Sequence, residues 1–363
     1  MLGLLPHAPV GETWQKAIVY LDRLLESRSL VLVPSFGPAP PDHWDPRDPP
    51  IIGPHAKSQR NTMNWYKTRS LLRGSRSQTE ETSVTRPGAP NRAPLVRAGS
   101  ICVASGKGGT GKSMVTASLA SEFSGKGKTL IVDADMGVGN AHIMQNVSPA
   151  HSFVDVIESE MPVREVLQSV NARLDLLAAG SGVSHMAGLS TYEMHLVGCG
   201  LELLEVDYDS LVVDSAAGIS RQTVALAAAS DVVLIVTTPD VTALTDAYAF
   251  LKVFLRRKPE VSPLLVVNRV SCYEEADKVA QRMCSVSRRF LGRAPRYVGC
   301  LPYDEAAVKS INARSPVVEH MPNSRLACSL RDLAVTLREE LARHSHKGLG
   351  RQLLRSVGYT PGR

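Results

Sequence analysis

The chain of 363 residues is poor in aromatics, at 5%. Flat rings are what proteins stack bases on, so the scarcity counts against a single-strand nucleic-acid platform. Its six cysteines (Cys102, Cys199, Cys272, Cys284, Cys300 and Cys328) are scattered, and no two form a Cys-x-x-Cys pair. That spacing argues against a zinc site, an iron–sulfur scaffold or a disulfide framework, and fits a reducing cytoplasm. No run of about 18 apolar residues occurs, so no transmembrane helix is expected. No basic stretch precedes an apolar one at the N-terminus, so no secretory signal is expected.

What is present divides the chain in three. The first 98 residues hold 13 of the 23 prolines. Such a stretch buries too little apolar surface to offset chain entropy and is expected to be mostly disordered. Within it, Trp14, Ile18, Leu21 and Leu25 share one face of an expected helix over 12–27, and a second helix is expected near 63–73. Met63 is an expected alternative start of translation. Net charge is +6. All of that excess lies in residues 60–98, with eight basic and two acidic residues. The remainder is nearly neutral, which counts against a DNA-binding core.

From Gly99 strands and helices alternate. Ile101–Ala104, Thr129–Val132, Leu174–Ala178, Ser210–Val213, Val232–Val236, Leu264–Val267 and Tyr297–Val298 read as short buried strands. Several are nearly continuous Val, Ile and Leu, as parallel strands covered on both faces should be. Helical stretches such as Ser113–Phe123, Gln222–Ala229 and Asp246–Phe254 lie between them. The expected fold is α/β, a doubly wound, mostly parallel sheet over 99–342, followed by a tail over 343–363.

Gly106-Lys107-Gly108-Gly109-Thr110-Gly111-Lys112-Ser113 follows the first strand and opens a helix. Its skeleton fits the phosphate loop G-x-x-x-x-G-K-[ST]. Glycines let backbone N–H groups curl around phosphate, and the helix N-terminus adds favourable dipole charge. Lys112 is expected on the β- and γ-phosphates and Ser113 on Mg²⁺. Two later strands end in acids, at Asp133-Ala134-Asp135 and at Asp214-Ser215-Ala216-Ala217-Gly218. The second is a Walker B pattern, with Asp214 an expected outer partner of Mg²⁺ and Gly218 a γ-phosphate sensor.

The additional Lys107 makes this a deviant Walker A motif, and here the sequence resembles the MinD/ParA class of P-loop ATPases. The resemblance implies ATP and ADP as ligands with Mg²⁺. It implies that Lys107 crosses an ATP-bound homodimer to the partner's phosphates, much as an arginine finger does. It implies that Asp135 positions the attacking water and that Asp133 supports Mg²⁺ through its water shell. It also implies that Asn268 reads the adenine edge, with Pro302 in the segment closing over the base.

The stretches Val213–Ser220, Thr237-Thr238-Pro239-Asp240, Thr245–Ala249 and Gly180-Ser181-Gly182 resemble the FlhG (FleN, YlxH) group of flagellar-number regulators within that class, over about 99–342. That group implies the GTPase FlhF, flagellar switch or C-ring proteins, or a flagellar transcription activator as partners. Its N-terminal Asp-Gln-Ala-x-x-Leu-Arg segment has no match, and His142 stands where an aspartate is frequent. In the tail, Leu349, Leu353 and Val357 recur every four residues among Lys347, Arg351 and Arg355. This resembles a membrane-targeting helix for anionic lipid. It would make the protein cytoplasmic, with reversible attachment to the inner membrane. The competing readings are a DNA-partitioning ParA-like ATPase, an iron–sulfur carrier, which the cysteine spacing opposes, and a non-hydrolysing scaffold.

Overall fold

The computed structural model describes residues 97–136, 139–180 and 188–358. The expected helices at 12–27 and 63–73, the Met63 start and the Ser181-Gly182 pair lie outside the described residues.

Eight strands form one sheet: β1 (Gly99–Ala104), β2 (Thr129–Ala134), β3 (Leu167–Asn171), β4 (Leu174–Leu177), β5 (Ser210–Ser215), β6 (Val232–Thr237), β7 (Leu264–Val270) and β8 (Arg296–Pro302). Their order is β3-β4-β2-β5-β1-β6-β7-β8. Every neighbouring pair is parallel except β3 with β4. β1, β2 and β6 are buried throughout, in keeping with their largely apolar sequences. β3 was not anticipated. Its sequence Leu-Gln-Ser-Val-Asn is half polar and lies half-exposed at the sheet edge, so it lacks the apolar run that marks the other strands.

Helices cover both faces. On one face lie α1 (Lys112–Ser124), α2 (Ala141–Met144), α8 (Glu305–Asn312), α9 (Val317–His320) and α10 (Arg325–Ala342). On the other lie α3 (Phe153–Glu158), α4 (Thr191–Leu204), α5 (Arg221–Ala229), α6 (Val241–Arg257), α7 (Tyr273–Leu291) and α11 (Leu349–Val357). Each face has its own apolar core, the second built around Phe153, Tyr248, Phe250 and Phe254. No helix among the described residues is long and apolar enough to cross a membrane.

The tail requires a correction. Its apolar side chains are not presented to the surroundings: Leu349 and Leu353 are fully buried in the second core, where α11 packs on α4 and α5. The helices meet backbone to backbone. A Cβ at Gly350 would stand 2.1 Å from the Glu202 amide nitrogen, so only glycine fits. The Gly350 N–H donates to Glu205 Oε2 at 3.0 Å, and Arg97 donates to Glu205 Oε1. Glu205 is wholly buried, and that burial raises its pKa while the two hydrogen bonds oppose the rise. The same spacing that would serve a bilayer serves this groove, because a groove and a bilayer both select one apolar stripe.

Gly350→Ala is expected to expel α11, since the clash is with backbone and cannot be relieved by a rotamer. Amide hydrogens of 349–357 should lose their protection, and the protein should lose about 1–3 kcal/mol of stability. Unchanged exchange over 349–357 would mean that the contact is not tight.

Candidate functional site

The carboxyl edge of the sheet gathers most of the sequence-derived residues. β1 ends at Ala104 and leads into the loop 106–111, which opens α1. Asp133 of β2 stands opposite Asp214 of β5, and Val103 of β1 lies on the other side of Asp214. One strand register therefore sets two carboxylates beside the root of the loop. The root is tied down further: the Gly218 N–H donates to the Ser105 carbonyl at 2.9 Å, and Ser105 Oγ donates to the Lys107 carbonyl at 2.9 Å.

The loop is shaped to leave donors free. Gly111 caps α1 with φ +90°, a left-handed conformation that favours glycine, and contributes no capping side chain. Elsewhere Ser152, Ser190, Ser220, Asp304 and Ser324 cap their helices by accepting from first-turn N–H groups. The first-turn N–H groups of α1 thus remain for a ligand at the positive end of the helix. Gly106 is pressed against the backbone of Asp246, whereas Gly108 and Gly109 border open space. Thr110 is buried, and its hydroxyl has no partner among the described residues. An open, donor-rich loop with an orphaned hydroxyl fits a phosphate chain.

Lys112 is buried with its Nζ 2.6 Å from Asp214 Oδ1, and Thr116 Oγ1 donates to the same oxygen at 3.3 Å. Each ion neutralises a charge that would be costly to bury alone. Thr116 was missed in the sequence, although it lies one helical turn beyond Lys112 on the buried face of α1. Asp133 accepts from the N–H groups of Asp135 at 3.2 Å and Ala141 at 3.1 Å. Burial and the neighbouring Asp214 push its carboxyl up to about 7. Asp135 follows half-buried, and Ser113 is half-buried in the first turn of α1. Among the described residues no three His, Cys, Asp or Glu side chains gather as a metal cage. Ser113, Asp133 and Asp214 fit a magnesium ion that keeps water and phosphate oxygens in its shell.

Two residues are placed differently from their expected contacts. Lys107 is exposed and donates to Thr242 Oγ1 at 2.9 Å, on the first turn of α6, with Asp246 close by. No local pattern flags Thr242, which stands 135 residues away in the chain. Asn268 is buried with its amide committed. Nδ2 donates to the Thr110 carbonyl at 2.8 Å, and Oδ1 accepts from the Arg269 N–H at 2.9 Å. In this structure it buttresses the loop and presents no amide edge to a base. Pro302 ends β8, the neighbouring strand, opposite Val270. His142 is half-buried and lines a pocket of about 210 Å³ with Asp133, His151 and Asp155.

With that geometry in place, the comparisons are specific. A ParA family model, described as NUBPL iron-transfer P-loop NTPase, matches residues 98–338. The antiactivator FleN of Pseudomonas aeruginosa is 31% identical over 235 residues, 64% of this chain and 84% of FleN. The flagellum site-determining protein YlxH of Helicobacter pylori is 30% identical over 246 residues, 66% of this chain and 82% of YlxH. The septum site-determining protein MinD of Pyrococcus horikoshii, solved with Mg-ADP, matches in structure with a TM-score of 0.57. It covers 69% of this chain and 99% of its own, at 21% identity. MinD-type structures thus share the fold, as the alternating strands and helices predict.

Asp133 makes stability depend on pH in a defined direction. In an unfolded chain an aspartate titrates near about 3.9, so at intermediate pH the folded protein holds a proton that the unfolded chain releases. That contribution is complete in acid, falls as pH rises from about 4, and is gone above about 7. Asp133→Asn should therefore gain on the parent in melting temperature between pH 5 and 8, without nucleotide or Mg²⁺. A pH-independent difference between the two would contradict the buried, proton-holding carboxyl.

Proposed function

The chain belongs to the ParA family of P-loop NTPases, as a relative of FleN and YlxH, and from that membership we propose that it is an ATP-hydrolysing switch regulating flagellar number and placement. The observation that carries the enzymatic part is the pairing of two lysines on one glycine-rich loop. Lys112 is buried on Asp214, while Lys107 stands exposed against Thr242. One cation thus serves the phosphates of its own subunit, and the other is available to a second subunit. The flagellar part rests on the identity to FleN and YlxH. The iron transfer in the family description is not carried over, because the chain has no Cys-x-x-Cys.

In this reading the first-turn N–H groups of α1 and the loop amides cradle the phosphates. Lys112 moves from Asp214 to the β- and γ-phosphates. Ser113 would hold magnesium, with Asp133 and Asp214 supporting it through its water shell. Magnesium, when bound, neutralises charge on the phosphate oxygens. Asp135 orients the attacking water, and Lys107 leaves Thr242 to meet the charge developing in a partner subunit of the homodimer. Asn268 and Pro302 border the base, which Asn268 reads only if its amide is released from Thr110. ADP is the product.

The tail gives the switch an output. α11 leaves its groove on α4 and α5 and inserts its apolar face into an anionic bilayer, with two copies in the dimer raising avidity. The protein then alternates between the cytoplasm and the inner membrane. FlhF, flagellar switch or C-ring proteins, or a flagellar transcription activator are the expected partners.

The test is flotation with anionic vesicles without nucleotide, with ADP, and with ATP using Asp135→Ala to arrest hydrolysis, beside a parallel sample offered non-specific DNA. ATP-dependent flotation that disappears in Leu353→Glu/Leu354→Glu, with nucleotide binding intact, is the expected result. ATP-dependent DNA binding without flotation would replace it with DNA partitioning. In turnover assays Lys112→Ala should lose nucleotide binding. Lys107→Ala should keep it while losing at least about tenfold in hydrolysis at concentrations that favour dimers.

A further inference from the structure

Although residues beyond the N-terminal segment sum to nearly zero charge, the charges are sorted by face. Between Asp277 and Asp304 there is no carboxylate, and none follows Glu340. In the fold these acid-free stretches supply one layer. α11 joins α6 where Arg257 Nη2 donates to the Ser356 carbonyl at 3.2 Å, and α6 packs beside α7. Seven arginines on this run of helices are exposed and have no ion pair among the described residues: Arg256 and Arg257 on α6, Arg282, Arg288 and Arg289 on α7, Arg351 and Arg355 on α11. On the opposite layer Arg331 is paired with Glu122 and Arg343 with Glu340, and fewer arginines, Arg314 and Arg325, are exposed without an ion pair among the described residues. Acids of the arginine-bearing layer are on α4, at Asp246 on α6 and Glu260 just after it, and at Glu274, Glu275 and Asp277 at the start of α7, and none of them pairs with these arginines among the described residues.

Helix dipoles account for only part of this. Arg256, Arg257 and Arg289 lie in last turns, where a cation is favoured. Arg351 lies in the first turn of α11, where the dipole opposes it, and Arg282 lies mid-helix. Arg221 also stands close enough to Arg257 to act with burial in lowering its pKa, so like charges are left facing each other. Such a surface is at its most favourable beside a dense anionic partner.

We propose that the face formed by α6, α7 and the docked α11 is an electrostatic docking surface for an anionic bilayer, used while the tail is still in its groove. A bilayer is the partner that fits, because α11, at one edge of the face, carries an apolar stripe that lipid would receive once it leaves α4. Nucleic acid would meet the arginines and leave that stripe without a partner. The nucleotide-free protein therefore reaches the membrane with its tail side foremost, and the tail is released at the surface where it inserts. This rests on the membrane reading of the tail, but the docking face is separable from it.

The test uses the full chain without nucleotide and vesicles of phosphatidylcholine with or without phosphatidylglycerol. Weak binding that requires phosphatidylglycerol and disappears on raising salt from about 0.05 M to about 0.5 M is expected, because screening then acts within a few ångströms. Each cation near an anionic surface is worth about fivefold in partitioning. The variant Arg256→Glu/Arg282→Glu/Arg289→Glu should bind at least about 100-fold more weakly, and the matching three lysine substitutions should bind like the parent. Binding during which the amides of 349–357 keep their hydrogen-exchange protection would support the face independently of tail insertion. Loss of ATP-dependent flotation with this binding intact would sink the tail switch and leave the face standing. Absence of binding in the parent, indifference to the three reversals, or displacement of the protein from vesicles by equimolar duplex DNA would each overturn the proposal.

Discussion

The site is organised by the ion pair of Lys112 and Asp214, buried where the central strands end. Neither charge is tolerable there without the other, so the loop, α1 and β5 are held in one register by electrostatics as well as by packing. Asp133, set opposite Asp214 by the same register, resists ionisation because it is buried and because a second buried anion stands beside it. A phosphate chain arriving at the loop would draw Lys112 toward itself and free Asp214. The resting pair therefore holds the charges that nucleotide and magnesium would redistribute.

A second constraint operates where the residues just before β1 meet the tail helix. Glu205 is wholly buried and accepts from Arg97, just before β1, and from Gly350 in the tail helix. Releasing the tail removes one of these donors and opens the groove that Leu349 and Leu353 fill. In the proposed switch the amphipathic helix exchanges that groove for a lipid surface, and the exposed arginines of α6, α7 and α11 would offset part of the loss.

Much of the fold was legible in advance because parallel strands covered on both faces have to be apolar without interruption. Several strands announced themselves in this way, and the edge strand β8 only at Tyr297 and Val298, whereas β3 did not, since an edge strand with one exposed face tolerates Gln, Ser and Asn. The loop was legible because its glycines and lysines are adjacent in the chain. Thr242 was not, because its contact with Lys107 exists only through the packing of α6 over the loop. Asn268 stood at the predicted strand end, but its amide buttresses Thr110, a contact that depends on how β7 sits against the loop.

The sequence alone determined the class of protein: the order of strands and helices, the deviant phosphate loop, and the acids at two strand ends follow from residues close together in the chain. It also determined that the tail helix has one apolar face. Tertiary structure decided where that face goes, because a stripe of leucines specifies only that something apolar must cover it. It also decided the charge of each surface, because a sum over sequence cancels arginines against acids that the fold places on different sides of the molecule.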